Sequence, residues 1–158
     1  MKILYLHGLR ERGGRVMDIL DSYQAITPSL DPWRPAETLK RISEIQADYI
    51  IGFSMGGFFG ACLQTSTPKL LINPALCFPD IVCSRRNQDP SLTAEYMGLK
   101  VWPGSNVRAI FTTEDHKIGL RSLPLYLESF PESSVTYIPG GHNPGEEIDC
   151  LVEKFLES

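Results

Sequence analysis

The chain has 158 residues and a formal net charge of −4, so it is long enough for one domain with a real core and short for two. It has no basic block, and we therefore expect neither nucleic acid nor an anionic membrane as a partner. No apolar run approaches the length of a membrane span, and the first residues enter a strand pattern without a leader cleavage site. We expect a single cytoplasmic domain over residues 1–158.

Strand and helix patterns alternate along the chain. Apolar runs rich in β-forming residues predict strands at Ile3–Leu6, Ala25–Thr27 (the weakest), Tyr49–Phe53, Leu70–Ile72, Val107–Thr112 and Val135–Ile138. Helical patterns occur at Arg15–Tyr23, Ala36–Gln46, Phe58–Gln64, Ile118–Phe130 (interrupted by Pro124) and Glu146–Leu156. The strand runs are nearly continuously apolar, as in parallel strands buried on both faces. The pattern predicts an α/β fold with a mostly parallel sheet of about six strands and helices on both faces.

Residues 76–104 form the least regular part of the chain. They include the polar run Arg85–Asp89 and a turn at Pro103-Gly104. We predict a small cap over the site or an irregular insertion here. The four cysteines are scattered and show no C-x-x-C spacing, so we expect them to be small buried hydrophobes in a reducing compartment.

The strand pattern ending at Phe53 stops at a serine between glycines, Gly52-Phe53-Ser54-Met55-Gly56, and a helical pattern follows at once. G-x-S-x-G alone is a weak signal, but the strand-turn-helix context is the one that a nucleophile elbow requires. In such a turn a Cβ at Gly52 or Gly56 would collide with a neighbouring strand or helix. We predict a strained backbone at Ser54 that exposes its hydroxyl as a nucleophile.

An acid and a histidine follow in the order that this architecture uses. Asp115 comes after the Val107–Thr112 strand pattern, and His142 follows the Val135–Ile138 pattern and two glycines. An imidazole can take the proton of the serine hydroxyl, and a carboxylate can fix its tautomer. We predict the catalytic set Ser54, Asp115 and His142. Glu114 is the alternative acid if the turn is one residue shorter, and His116 is a minor competitor for the role of base.

The anion that forms on the substrate oxygen needs hydrogen-bond donors. We predict the backbone N–H of Met55, at the start of the helix after the serine, and the backbone N–H of Leu9, in the turn after the first strand. His7 precedes that turn, and we expect it to be structural. This chemistry calls for no cofactor and no metal.

Together, Leu6-His7-Gly8, Gly52–Gly57, Asp115 and Gly141-His142 resemble an α/β-hydrolase, and in particular the short bacterial YqiA-like esterases. Leu71-Ile72-Asn73-Pro74-Ala75 is similar to a string in that group. The resemblance spans nearly the whole chain and implies a trimmed hydrolase sheet of six strands that lacks the two N-terminal strands.

The predicted function is a carboxylesterase or thioesterase that acts on small acyl esters or thioesters through an acyl-Ser54 intermediate. Phe53, Met55, Phe58 and the stretch Leu76–Trp102 are candidates for an acyl pocket, although we expect Phe58 and Phe59 to belong to the core. The alternative is a catalytically silent binding protein that keeps the hydrolase shape.

Overall fold

A computed structural model of the chain describes residues 1–9, 14–85 and 89–158. Within these residues, six strands form one sheet in the order β2-β1-β3-β4-β5-β6, and every neighbouring pair is parallel. The strands are β1 (Lys2–Leu6), β2 (Gln24–Ile26), β3 (Tyr49–Phe53), β4 (Lys69–Ile72), β5 (Val107–Thr112) and β6 (Ser134–Ile138). The predicted α/β architecture is confirmed, including β2, the weakest of the predicted strands, which lies at the edge of the sheet beside β1.

The helices that connect the strands are α1 (Arg15–Leu20), α2 (Pro35–Ser43), α3 (Met55–Cys62), α4 (Phe78–Arg85), α5 (Pro90–Gly98), α6 (Gly119–Ser129) and α7 (Asp149–Leu156). A 3-10 turn over Glu146–Ile148 leads into α7. Helix α6 continues through Pro124, which the sequence pattern marks as an interruption, at the loss of one helical hydrogen bond.

The sheet separates two apolar layers, because successive side chains of a strand point to opposite faces. In β1, Leu4 and Leu6 pack into one layer, which includes buried residues of α2 to α6. Ile3 and Tyr5 pack into the other layer with α1 and α7. Helices therefore cover both faces, as the continuously apolar strands predict.

Residues 76–104 are more regular than their sequence suggests. They contain α4 and α5, whose side chains Phe78, Val82, Leu92 and Tyr96 are buried in the core. The expectation of an irregular stretch was therefore wrong for these two segments, and the role of a cap stays a prediction. Arg86, Asn87 and Gln88 of the predicted polar run lie outside the described residues.

The four cysteines differ in their exposure to solvent. Cys62 and Cys77 are buried and Cys83 is partly buried, but Cys150 is exposed, so the expectation of buried cysteines was wrong for that residue. Cys150 lies in the first turn of α7, on the side that faces away from Val152 and Phe155.

Among the described residues, no helix is both long enough and apolar enough to span a bilayer.

Candidate active site

Ser54 lies at the sharp turn between β3 and α3. Its φ of 54° and ψ of −117° put it outside the common backbone regions, a strain of order 1–3 kcal/mol that the surrounding structure must offset. A Cβ on Gly56 would lie 1.9 Å from the carbonyl oxygen of Leu6, and one on Gly52 would lie 2.7 Å from that of Gly56. Both predicted collisions are confirmed, so the two glycines allow strand, turn and helix to pack this closely.

The structure brings Ser54, His142 and Asp115 together at the carboxyl edge of the sheet. Nε2 of His142 lies 2.9 Å from Oγ of Ser54, and Nδ1 of His142 lies 2.6 Å from Oδ2 of Asp115. The imidazole ring is partly exposed and contacts the ring of Phe53, with 5.1 Å between centroids. With Nδ1 donating to the carboxylate, Nε2 is free to accept the hydroxyl proton of Ser54.

Of the two acids that follow β5, only Asp115 contacts the histidine. Its carboxylate is buried and also accepts the backbone N–H groups of Gly119, at 2.8 Å, and Ile118, at 3.2 Å. Burial by itself raises the pKa of Asp115, but the hydrogen bonds from His142 and from these N–H groups outweigh it and hold the pKa below its ordinary value. Glu114 is exposed.

The other two histidines lie apart from this set. His116 is exposed and contacts neither Ser54 nor Asp115 in the described hydrogen bonds. In His7, Nδ1–H donates to the carbonyl oxygen of Gly8 at 2.7 Å, which fixes the turn after β1. This contact accords with a structural role for His7.

The two predicted oxyanion donors border the serine. Met55 is the first residue of α3, where a backbone N–H has no partner within the helix. Leu9 and Gly8 line the cavity that opens on Ser54. Neither Met55 nor Leu9 donates its backbone N–H to another of the described residues. The role of both groups as oxyanion donors stays a prediction.

Asn73 and Thr112 are contacts of the site that the sequence did not reveal. Nδ2 of Asn73 donates to the carbonyl of His142 at 2.9 Å, and the hydroxyl of Thr112 donates to the carbonyl of Gly141 at 2.7 Å. Asn73 entered the sequence argument only as part of the Asn-Pro-Ala string. Asn73 has an unusual positive φ of 41°. Asparagine tolerates this backbone region better than most residues, but a single sequence does not show which asparagine adopts it.

A cavity of about 570 Å³ opens on Ser54 and His142. Its walls are mostly apolar and come from both sheet faces, and they include Leu9, Val16, Phe53, Phe78, Ile81, Ile118 and Pro144. Of the predicted pocket residues, Phe53 lines this cavity, as do Phe78 and Ile81 from the stretch 76–102. Met55 and Phe58 do not line it. Phe58 and Phe59 are buried in the core, as expected.

A second, more open cleft meets this cavity at Ile81, Arg85, Ile118 and His142. Its remaining walls carry charged side chains of both signs, namely Asp80, Glu114, Lys117 and Arg121. His142 therefore lies where the apolar cavity meets a more open cleft that has charged residues on its walls.

Comparisons with solved structures define the class of fold. Est1E from Butyrivibrio proteoclasticus superposes with a TM-score of 0.64 at 13% identity, over 99% of this chain and 85% of that one. The esterase RhEst1 from Rhodococcus sp. ECU1013 gives 0.61 at 14%, over 99% and 90%. A thioesterase domain from the curacin biosynthetic pathway gives 0.61 at 12%, over 99% and 91%.

This protein thus has the α/β-hydrolase fold, in the trimmed six-stranded form that the sequence predicts. Comparison with protein-family models and with curated proteins found no match. At identities this low the likeness establishes the fold, and any activity has to be argued from the residues of the site. The narrower resemblance to YqiA-like esterases stays a prediction.

Proposed function

We propose that this protein is a serine hydrolase, a carboxylesterase or thioesterase for small acyl substrates, with Ser54 as nucleophile, His142 as base and Asp115 as the acid that orients the base. One observation carries the proposal. A single imidazole is within hydrogen-bond distance of the Ser54 hydroxyl, at 2.9 Å, and of the Asp115 carboxylate, at 2.6 Å. These are the distances that general-base activation of a nucleophile requires.

In the first half of the reaction, Oγ of Ser54 attacks the acyl carbon while Nε2 of His142 takes the hydroxyl proton. The negative charge on the former carbonyl oxygen is stabilised by the backbone N–H groups of Met55 and Leu9. Collapse of this intermediate breaks the bond to the alcohol or thiol, which leaves with the proton from His142. The acyl group remains as an ester on Ser54.

In the second half, His142 removes a proton from water as the water attacks the acyl-Ser54 ester. The tetrahedral intermediate collapses, the acid product leaves, and Oγ of Ser54 recovers its proton from Nε2. Asp115 keeps its charge throughout and stabilises the imidazolium that forms in each half.

The two chambers at His142 suggest how a substrate lies. The apolar cavity of about 570 Å³ is suited to a modest acyl chain. The leaving group must lie on the His142 side of the acyl carbon, since it takes its proton from Nε2, and the open, charged cleft begins there. We therefore propose esters or thioesters of small, apolar acyl groups as the substrate class, with the alcohol or thiol directed into the second cleft.

Turnover of p-nitrophenyl esters and matched thioesters of increasing acyl length tests this proposal. We expect Ser54→Ala to lower kcat for every substrate by about 10³-fold or more. Ser43→Ala removes an exposed hydroxyl from the end of α2, away from both the cavity and the second cleft, and is the control, expected to keep turnover within about threefold. If the wild-type protein and Ser54→Ala turn over all substrates equally, the silent binding protein becomes the better account.

A further inference from the structure

The loop that carries His142 is held by two side chains from neighbouring strands. The carbonyl of Gly141 accepts the hydroxyl of Thr112, at 2.7 Å, and the carbonyl of His142 accepts Nδ2 of Asn73, at 2.9 Å. Thr112 is the last residue of β5, and Asn73 directly follows β4. Two consecutive carbonyls of a loop after β6 are thus tied to the ends of β4 and β5.

The hydrogen bonds of this pair are mutually consistent. Thr112 gives its one hydroxyl hydrogen to Gly141 and accepts the second Nδ2 hydrogen of Asn73 at 2.9 Å. Oδ1 of Asn73 accepts the backbone N–H of Thr112, also at 2.9 Å. The reverse orientation of the amide would place its oxygen against the carbonyl of His142, so the contacts fix which atom is Nδ2.

Burial makes these contacts costly to lose. Asn73 and Thr112 are both fully buried, so a donor or acceptor of theirs that loses its partner cannot turn to water instead. The same amide oxygen lies close to Gly119, where a Cβ would be 2.8 Å from Oδ1 of Asn73 and 2.9 Å from Oδ2 of Asp115. The loop of the histidine and the carboxylate are therefore packed against one side chain.

We propose that Asn73 and Thr112 are positioning residues that set the alignment of His142 between Ser54 and Asp115. Neither touches the reacting atoms, and this inference rests on the proposed function. The imidazole is partly exposed, so its packing alone leaves it room to shift, and the fixed carbonyl of His142 limits that shift. A displacement of about 1 Å in such a group costs on the order of 10²-fold in rate.

The variant Thr112→Val tests this role, because it keeps the shape of the side chain and removes the hydroxyl. The carbonyl of Gly141 and one hydrogen of Asn73 then lose their partners. We expect kcat to fall about 10- to 100-fold with KM changed less than about threefold. Thr112→Ser restores the hydroxyl and should recover most of kcat.

Thr38→Val is the matched control for stability. Thr38 is also buried, and its hydroxyl donates to the carbonyl of Asp31 at 3.0 Å, in a part of the chain that does not line the active-site cavity. The variant Thr38→Val loses this hydrogen bond. It should lower the free energy of unfolding by about as much as Thr112→Val does, while kcat stays near the wild-type value.

The downfield proton resonance of Nδ1–H in His142 gives a readout that needs no substrate. We expect Thr112→Val to shift or broaden it and Thr112→Ser and Thr38→Val to retain it. If Thr112→Val keeps both kcat and this resonance while losing as much stability as Thr38→Val, the pair is only structural and the inference is wrong. If the wild-type protein hydrolyses no ester, the proposed function fails, and the resonance alone decides whether the pair positions His142.

Discussion

At the scale of single residues, the surroundings of Glu114 and Asp115 favour Asp115 as the orienting acid of the proposed mechanism. Asp115 is buried, accepts two backbone N–H groups and lies 2.6 Å from Nδ1 of His142. Glu114 is exposed on the wall of the second cleft, its backbone N–H donates to Gly140, and its side chain makes no described hydrogen bond to His142. A carboxylate held by three donors is fixed in orientation, so it can fix the imidazole in turn.

The two acids should therefore respond very differently to neutralisation. We expect Asp115→Asn to lower kcat by about 10³-fold or more, because an amide NH₂ at this position would favour the wrong tautomer of His142. Glu114→Gln should keep kcat within about threefold. Steady-state turnover of one p-nitrophenyl ester measures both, and equal losses would show that Asp115 is not the orienting acid.

The residues that carry the reactive groups could be predicted from the sequence. The residues that hydrogen-bond to the loop of His142 could not. Ser54 and His142 stand in local contexts, an elbow and a Gly-Gly loop, that follow from chain order alone. The contact of Asn73 with His142 joins residues 69 positions apart, and it exists only because the ends of β4, β5 and β6 meet at one sheet edge. A single sequence does not show that these three strand ends are neighbours.

At the scale of elements, α5 shows what the sequence analysis overlooked. Asp89 caps this helix by accepting the backbone N–H groups of Ser91 and Leu92, and Pro90 occupies its first position. An aspartate followed by a proline is visible in the sequence as a helix start, but the apolar residues that follow do not fall on one stripe of the helix. The period that identifies an amphipathic helix is therefore missing, and only tertiary packing of Leu92 and Tyr96 shows which side is buried.

Two buried tyrosines on α5 and α6 offer a test of how these helices are held. The hydroxyl of Tyr96 donates to the carbonyl of Pro32 at 2.7 Å, whereas that of Tyr126 has no hydrogen-bond partner among the described residues. We expect Tyr96→Phe to lower the free energy of unfolding by about 1 kcal/mol or more, and Tyr126→Phe to leave it unchanged or raise it.

Chemical denaturation of both variants measures the change in unfolding free energy that each causes. Both substitutions keep the aromatic ring and remove only the hydroxyl. Tyr126 packs between Phe111 and Phe130, with centroids 5.5 and 5.0 Å away, so phenylalanine keeps those contacts. A loss for Tyr126→Phe as large as that for Tyr96→Phe would mean that the Tyr126 hydroxyl does have a partner in solution.

At the scale of the whole molecule, one buried charge stands out in the sheet. Lys69 begins the central strand β4, is fully buried, and donates its Nζ to the carbonyl of Leu63. Burial lowers the pKa of Lys69 to about 8 and, in the neighbouring Cys62, raises the pKa of the thiol to about 12. At neutral pH the fold therefore carries the cost of a buried ammonium group.

Replacing this lysine should stabilise the protein in a pH-dependent way. We expect Lys69→Met to raise the free energy of unfolding by about 1–2 kcal/mol at pH 7, since the desolvation cost exceeds the one hydrogen bond lost. Above pH 8 the folded wild-type protein releases this proton while the unfolded chain still holds it. Wild-type stability therefore rises relative to the variant, and the advantage of Lys69→Met shrinks between pH 8 and about 10.4.

Denaturation curves at pH 7 and pH 9.5 measure the difference in unfolding free energy between Lys69→Met and the wild-type protein at each pH. Lys40→Met, at an exposed position on α2, is the control. The control should change little and equally at both values of pH. An advantage of Lys69→Met that grows as the pH rises would contradict the buried, charged state of Lys69.

The proposed mechanism depends on Ser54 as the nucleophile that accepts the acyl group. The most direct measurement is reaction with a fluorophosphonate probe, followed by mass mapping of the labelled peptide. We predict one adduct per chain, on Ser54, formed at least about 10²-fold more slowly in His142→Ala, which lacks the base. No adduct on Ser54, or labelling at the same rate without His142, would contradict the account.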